Sequence, residues 1–261
     1  MTAALQPIYN NAIAYKQGFV ISVTGNTTLS VTSGVARANN DAMDINVGDF
    51  YGAQTATVVD ATVNGLNGLD TGSLQASKVY ALWAIADGAN YNPAGLLLSL
   101  SLTAPQLPSG QFPSGYNEIR RVGWAVTDAS SHFKVLFVSG EGSVVRYTYD
   151  VPVKVLTGGT SATQAAVDLS SVVPAKQNIP VDLNCDFLSD AASKKATLCP
   201  SGGTIASSRF ILNAQVAAVH VIQDYTIPAV LISGLPKVDY IISAATSSLD
   251  LYVNGFTDIL A

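Results

Sequence analysis

The stretch LLLSLSLTAPQLPSGQFPSGYNEIRRVG, residues 96–123, decides the fold class. Leucine occupies every second position from 96 to 102, so these side chains share one face of a β-strand. A loop rich in proline and glycine follows at residues 105–116, and a second strand begins at Arg120. The stretch carries no catalytic motif. It predicts a β-rich scaffold with display loops.

The same alternation recurs along the chain. Phe19, Ile21 and Val23 share one face of an early strand, and residues 249–256 alternate in the same way near the other end. The segment VYALWAIA, residues 79–86, is apolar on both faces, as in a central strand that is covered on both sides. Short strands with turns between them predict antiparallel sandwiches or barrels.

The sequence predicts an all-β fold of two antiparallel β-sandwich domains, jelly-roll-like in type. The small-residue run TGGTS at residues 157–161 marks the boundary. We expect an N-terminal arm, a first sandwich, a linker and a second sandwich, over residues 1–18, 19–156, 157–166 and 167–261. One larger sheet system is the alternative.

Composition limits the partners. Of the 261 residues, 48% are hydrophobic and only 12% are charged, about half the usual charged share. A mean hydropathy of +0.31 fits a subunit that buries apolar surface against its own copies, or simply an all-β chain rich in alanine and valine.

The net charge is −5 and no basic stripe occurs, which disfavours nucleic acid and anionic membranes as partners. With no leader or long apolar run, we expect a chain made in the cytoplasm.

Two local features leave alternatives open. The best helical candidates are short, at residues 6–15 and 162–169. Cys185 and Cys199 flank a turn at residues 190–193, and a hairpin centred there would make a disulfide conceivable. Two reduced core thiols are favoured in a chain made in the cytoplasm.

Candidate catalytic and metal-binding residues are few. His132 and His220 lack a nucleophile or metal partner at motif spacing, so we interpret both as ordinary surface or strand histidines. Asp41, Asp44, Asn46 and Asp49 crowd one loop but lack the closing glutamate of a calcium loop, which favours a polar turn. We predict no catalytic residue, no metal site, no cofactor and no enzymatic activity.

The loops carry the candidate ligand or assembly residues. Tyr91, Phe112 and Tyr116 could stack on sugar rings, pin their loops to the core, or contact a neighbouring subunit. Arg120 and Arg121 lie close to Glu118, which predicts a salt-bridged surface.

Residues 96–133 resemble tailed-bacteriophage virion proteins of the tail-fibre and structural-appendage kind. The shared pattern is a Leu/Ser strand, the loop PQLPSG at residues 105–110, Tyr116, the run RRVG at 120–123 and the turn TDAS at 127–130. Residues 29–44 are similar to the strand and turn that precede this block. The resemblance covers roughly residues 18–140. Pro-Ser-Gly recurs five residues later in this chain, at 113–115, so the loop is longer than in the family pattern.

The resemblance implies a structural subunit of a symmetric particle, often a trimer. We predict a bacteriophage virion protein, most simply a tail-associated fibre or adaptor subunit that contacts copies of itself and other virion proteins. A capsid decoration protein is the close alternative, for which residues 1–18 could be a capsid-spanning arm. A module that binds a host-surface glycan is a further alternative.

Overall fold

The computed structural model describes residues 15–89, 92–108, 111–112, 115–140, 144–205, 208 and 210–259. Within these ranges no residue lies in an α-helix, and nineteen strands form four sheets. The prediction of an all-β fold is therefore confirmed. Nearly all strand pairs are antiparallel, and β7 with β9 is a parallel exception among the described strands.

The first part of the chain builds three of the sheets. Its strands are β1 (Lys16–Gly18), β2 (Ile21–Val23), β3 (Thr28–Val31), β4 (Gly34–Arg37), β5 (Asp44–Val47), β6 (Thr57–Asp60), β7 (Gly68–Leu69), β8 (Val79–Asp87), β9 (Gly95–Ser99) and β10 (Tyr116–Val126). The small sheets have the orders β1-β4-β5 and β2-β3-β6. The middle sheet has the order β10-β8-β9-β7.

The rest of the chain builds one large sheet. Its strands are β11 (Leu136–Ser139), β12 (Val144–Gly159), β13 (Ala165–Asp168), β14 (Ile179–Ser189), β15 (Lys195–Pro200), β16 (Phe210–Asn213), β17 (Val219–Ile232), β18 (Leu235–Ile242) and β19 (Ser248–Ile259). The order is β11-β12-β19-β14-β17-β18-β15-β16, and β13 also pairs with β18.

The middle sheet lies between the large sheet and the small sheets. All nine residues of β8 are buried. The side chains of β8 that pack with the core of the large sheet are Val79, Ala81, Trp83 and Ile85. Those that pack with the core of the small sheets are Tyr80, Leu82, Ala84 and Ala86. The two-sided apolar pattern of VYALWAIA thus has the predicted cause, a strand covered on both faces.

Three local predictions are wrong. The leucine alternation continues to residue 102, but β9 ends at Ser99, and Leu100 is 40% exposed. The helical candidate at residues 162–169 contains β13, which pairs with β18. Residues 190–193 do not form a hairpin of paired strands, because β14 pairs with β17 and β19 while β15 pairs with β16 and β18. The helical candidate at residues 6–15 lies outside the described residues except for Tyr15.

The two cysteines are free and buried. Cys185 lies on β14 and Cys199 on β15, so they belong to strands that do not pair with each other. Burial raises the pKa of the Cys185 thiol to about 12 and, less strongly, that of Cys199. Both thiols therefore remain protonated at neutral pH and act as small apolar core groups.

The domain boundaries stay a prediction. The strand β12 runs from Val144 to Gly159, and one hydrophobic cluster joins side chains of the middle sheet to those of the large sheet. Residues 1–14 of the predicted arm lie outside the described part, and Lys16–Gly18 forms β1. Among the residues described, no helix has the length and apolar character that a membrane crossing requires.

Candidate functional site

The loop aromatics lie at one end of the middle sheet. Tyr116 opens β10 and is 7% exposed, and its hydroxyl donates to the carbonyl oxygen of Pro93 at 2.5 Å. The ring of Phe112 meets that of Tyr116 edge-on at 6.2 Å, and Phe112 packs against the core. Burial, with a smaller contribution from Asp87, raises the pKa of Tyr116. These contacts fix the loop to the sheet. Tyr91 lies outside the described residues.

A buried carboxylate, Asp70, holds the start of the proline-rich loop. It is 5% exposed and accepts a hydrogen bond from the Ser99 hydroxyl at 2.6 Å. The backbone N–H groups of Gln106 and Thr71 also donate to it, at 2.9 and 2.8 Å. Several donors to one buried carboxylate satisfy its charge and order the chain around it. The loop at residues 100–108 therefore has a fixed base.

A second buried carboxylate, Asp87, holds the neighbouring loop. It is 2% exposed and accepts from the Ala89 N–H at 2.9 Å and from the Asn92 amide at 2.8 Å. Gly115 lies against it with φ of 111°, and a Cβ there would stand 2.5 Å from Asp87 Oδ1. Asp87 thus joins the loop after β8 to the end of the proline-rich loop. The sequence patterns above predict neither aspartate, although Asp87 ends the apolar strand β8 and Asp70 directly follows β7.

The tandem arginines correct the prediction of a salt-bridged surface. Arg120 is 6% exposed and Glu118 is 5% exposed, so this part of β10 is buried between layers. Arg120 pairs with Ala84, on the face toward the small sheets, and its Nη1 donates to Asn39 Oδ1 at 3.3 Å. Burial, with help from the neighbouring charge, lowers the pKa of Arg120. Arg121 is next along the strand and therefore faces the large sheet.

On that face a group of polar side chains surrounds Asp258 of β19. Asp258 is 1% exposed, and it accepts from Trp124 Nε1 at 2.8 Å and from Lys176 Nζ at 2.7 Å. Arg121 Nη2 lies 3.7 Å from the same carboxylate, and its guanidinium stacks 4.6 Å from the Trp124 ring centroid. We call Arg121, Trp124, Lys176 and Asp258 the interlayer cluster. It ties the middle sheet to the large sheet.

Lys16 lies close to this cluster. It is 6% exposed, and its Nζ donates to the carbonyl oxygen of Val122 at 2.6 Å. Burial lowers the pKa of Lys16 to about 8, since the attraction of Asp258 is outweighed by desolvation together with the charges of Arg121 and Arg120. The backbone contact joins β1 to the edge of β10. Lys16 also lines a cleft of about 250 Å³ between residues 16–20 and residues 138–140.

The remaining sequence candidates make local contacts. His132 Nδ1 lies 3.9 Å from Asp128, and His220 Nδ1 lies 2.8 Å from Asp186. In the loop at residues 39–49, Arg37 pairs with Asp41 at 2.5 Å and Asp44 at 3.2 Å; Asn46 and Asp49 accept from backbone N–H groups of the following turn. Across the described ranges, no group of three or more His, Cys, Asp or Glu side chains could hold a metal ion.

Large apolar side chains are exposed on three strands of the large sheet. Phe137, on the edge strand β11, is 59% exposed, and Val151 on the adjacent β12 is 72% exposed. Ile222 on β17 is 62% exposed. Such side chains gain free energy when another surface covers them. These side chains are therefore available for contact with a partner. The loops held by Asp70 and Asp87 are fixed at their bases.

The comparisons with known proteins give little. No family model matches the chain, and no curated protein matches it. One solved structure, that of infectious bursal disease virus, Gx strain, aligns with 94% of this chain and 67% of its own at 11% sequence identity. Its TM-score of 0.22 is too low to indicate a common fold.

Proposed function

We propose that the chain is a non-enzymatic structural subunit of a bacteriophage virion that assembles with copies of itself. A tail-associated fibre or adaptor is the role we favour. The observation that carries the proposal is the exposure of large apolar side chains on the large sheet, namely Phe137 on β11, Val151 on β12 and Ile222 on β17. The resemblance of residues 96–133 to phage appendage proteins supplies the class of particle.

The charge distribution supports assembly. Only 12% of the residues are charged, so close packing of copies desolvates few ions. Closed symmetry also protects open sheet edges, which in a free monomer are sites of unspecific pairing. A trimer is the symmetry that the family resemblance favours, with other virion proteins as further partners.

The buried polar groups support a role without chemistry. Asp70, Asp87 and Asp258 are each at most 5% exposed and are occupied by two or more donors. A general base must instead reach a substrate proton. These carboxylates order loops and join layers, which suits a rigid display scaffold.

Labelling of intact particles tests the proposal. Antibodies raised against the purified chain are added to purified phage and located by electron microscopy, with the same antibodies absorbed on the pure chain as control. Label on the tail supports the fibre or adaptor role. Label on the head instead supports the decoration alternative. Particles that carry no label, and no peptide of this chain by mass spectrometry, would overturn the virion role.

A further inference from the structure

The strand β17 has one paired edge and one open edge. It pairs with β14 from Val219 to Ala229, opposite Ser189 to Ile179, and with β18 only at Val230–Ile232. Pro228, which has no N–H, stands where the second ladder stops. Within the described part of the chain, no backbone hydrogen bond joins the other edge of residues 219–229 to a further strand. At Tyr225 the side-chain hydroxyl donates to the carbonyl oxygen of Ile211 on β16 at 2.9 Å, so the part of this edge available to another chain is residues 219–224.

The open edge is exposed and has a polar–apolar–polar pattern. Ile222 is 62% exposed, the side chain of His220 is 58% exposed, and Asp224 is exposed. Because side chains alternate along a strand, these three residues share one face. On that face His220 Nδ1 contacts Asp186, and Asp224 accepts from the amide of Asn184 at 2.9 Å. Neither contact occupies the edge itself.

This pattern complements itself under two-fold symmetry. Two copies of β17 that run antiparallel about Ile222 place His220 of one chain opposite Asp224 of the partner subunit, and the reverse, with Ile222 against its own copy. Centring the pair on Val221 or Gln223 loses both His220–Asp224 contacts, because His220 then faces Ile222 or Thr226. These polar contacts therefore select one register. Identical patches that complement themselves are the requirement for a two-fold interface.

We propose that a second copy of this chain pairs antiparallel along the open edge of β17, two-fold symmetric about Ile222. This inference rests on the self-assembly proposed above and names one of its contacts. The pairing joins the large sheets of two copies into one continuous sheet and covers Ile222. A two-fold contact cannot close a trimer, so in a trimeric particle it links different trimers through a surface separate from the three-fold contact.

Sedimentation velocity of the full chain, from low micromolar to submillimolar concentration, tests the contact. We expect a species of twice 27.1 kDa to form as concentration rises. Ile222→Asp should abolish it, because two carboxylates then face each other at the centre. Val58→Asp, at a site of similar exposure on β6 in a small sheet, is the matched control and should leave this association unchanged.

A charge swap tests the register. His220→Asp places two aspartates opposite each other at both ends of the pair, which should weaken association about tenfold. Adding Asp224→Lys to His220→Asp places an aspartate opposite a lysine at both ends of the pair and should restore association. The double variant keeps the same change beside Asp186, so recovery separates the contact from any effect on folding.

The outcomes separate the two proposals. Association lost in Ile222→Asp and recovered by the charge swap supports the β17 contact. An oligomer that is insensitive to these variants overturns the β17 contact but leaves self-assembly standing, and failure of the swap to restore association overturns the register about Ile222. A species of 27.1 kDa at every concentration overturns the contact and the proposed self-assembly together.

Discussion

The strands β8 and β17 lie in opposite environments. Both are long and rich in aliphatic residues, but all nine residues of β8 are buried, whereas only Ile227 and Ala229 of the fourteen in β17 are buried. The middle sheet that holds β8 has a layer against each face, while the start of β17 has an open edge. Hydrophobicity alone therefore does not decide burial. A strand rich in apolar residues but left open at one edge is a place where another copy can add.

The largest expected effect concerns the buried strand. Trp83→Ala should lower the free energy of unfolding by about 3–5 kcal/mol, because Trp83 is 2% exposed between layers and leaves a cavity. Urea unfolding measures this. Trp83→Phe should cost less than Trp124→Phe, because Trp83 Nε1 has no partner among the described groups while Trp124 Nε1 donates to Asp258. An unchanged midpoint for Trp83→Ala would mean that the strand is placed wrongly.

The interlayer cluster gives the next effect. Asp258→Ala should cost about 3–5 kcal/mol, because it leaves Lys176 and Arg121 without their buried carboxylate. Asp250→Ala on the same strand is the matched control. Asp250 pairs with Lys154 at 2.6 Å with both side chains about a third exposed, and such pairs contribute only about 0.2–1 kcal/mol. Equal losses in the two variants would show that Asp258 does not join two layers.

Lys16 gives a pH-dependent effect. Its folded pKa, about 8, lies below the ordinary value of 10.5, so the folded state releases this proton first. Below pH 8, Lys16 is charged in both the folded and the unfolded state, so the free-energy cost of burying its ammonium group is at its maximum. From pH 8 toward 10.5 the wild type should gain about 1.4 kcal/mol per pH unit relative to Lys16→Met. The raised pKa values of Cys185, Tyr147 and Tyr149 lower stability at high pH in both proteins, so they cancel in the difference.

Denaturant unfolding of both proteins at several pH values between 7 and 10 measures this difference. A free-energy difference between wild type and Lys16→Met that does not change with pH would contradict the burial of Lys16 against Val122.

The smallest effect belongs to the open edge. Ile222→Ala, measured at low concentration where copies are apart, should change the free energy of unfolding by less than about 0.5 kcal/mol, because the side chain is mostly in water. Ile85→Ala in β8 is the same substitution at a fully buried site and should cost about 2–5 kcal/mol. Similar losses of unfolding free energy at both sites would contradict the difference in burial between β8 and β17.

Local patterns in the sequence were sufficient for some features of the fold. The two-sided apolar run at residues 79–86 predicted a covered central strand, because a strand that is buried on both faces has apolar residues at successive positions. The alternation elsewhere predicted strands, because a strand with one buried face has an apolar residue at every second position. Near the loop, the proline and glycine content predicted where β10 begins within a few residues.

Contacts between distant segments were not predictable from such patterns. The local pattern predicts a salt-bridged surface at Arg120 and Arg121, but the burial of Arg120 and the partial burial of Arg121 depend on layers that lie against both faces of β10. The partner of Arg121, Asp258, lies 137 positions away along the chain, and nothing in its local sequence marks it. The predicted hairpin between the cysteines was wrong because β14 and β15 pair with other strands and not with each other. Pairing of this kind is set by tertiary structure.

Hydrogen exchange of backbone amides, followed at several protein concentrations, tests the central claim most directly. We expect slow exchange in β8 at every concentration. In residues 219–224 of β17 we expect the alternate amides that face away from β14 to exchange fast in dilute solution and to slow as copies associate. Rapid exchange in β8, or exchange of those β17 amides that is the same at every concentration, would contradict the open edge and its covering by a second copy.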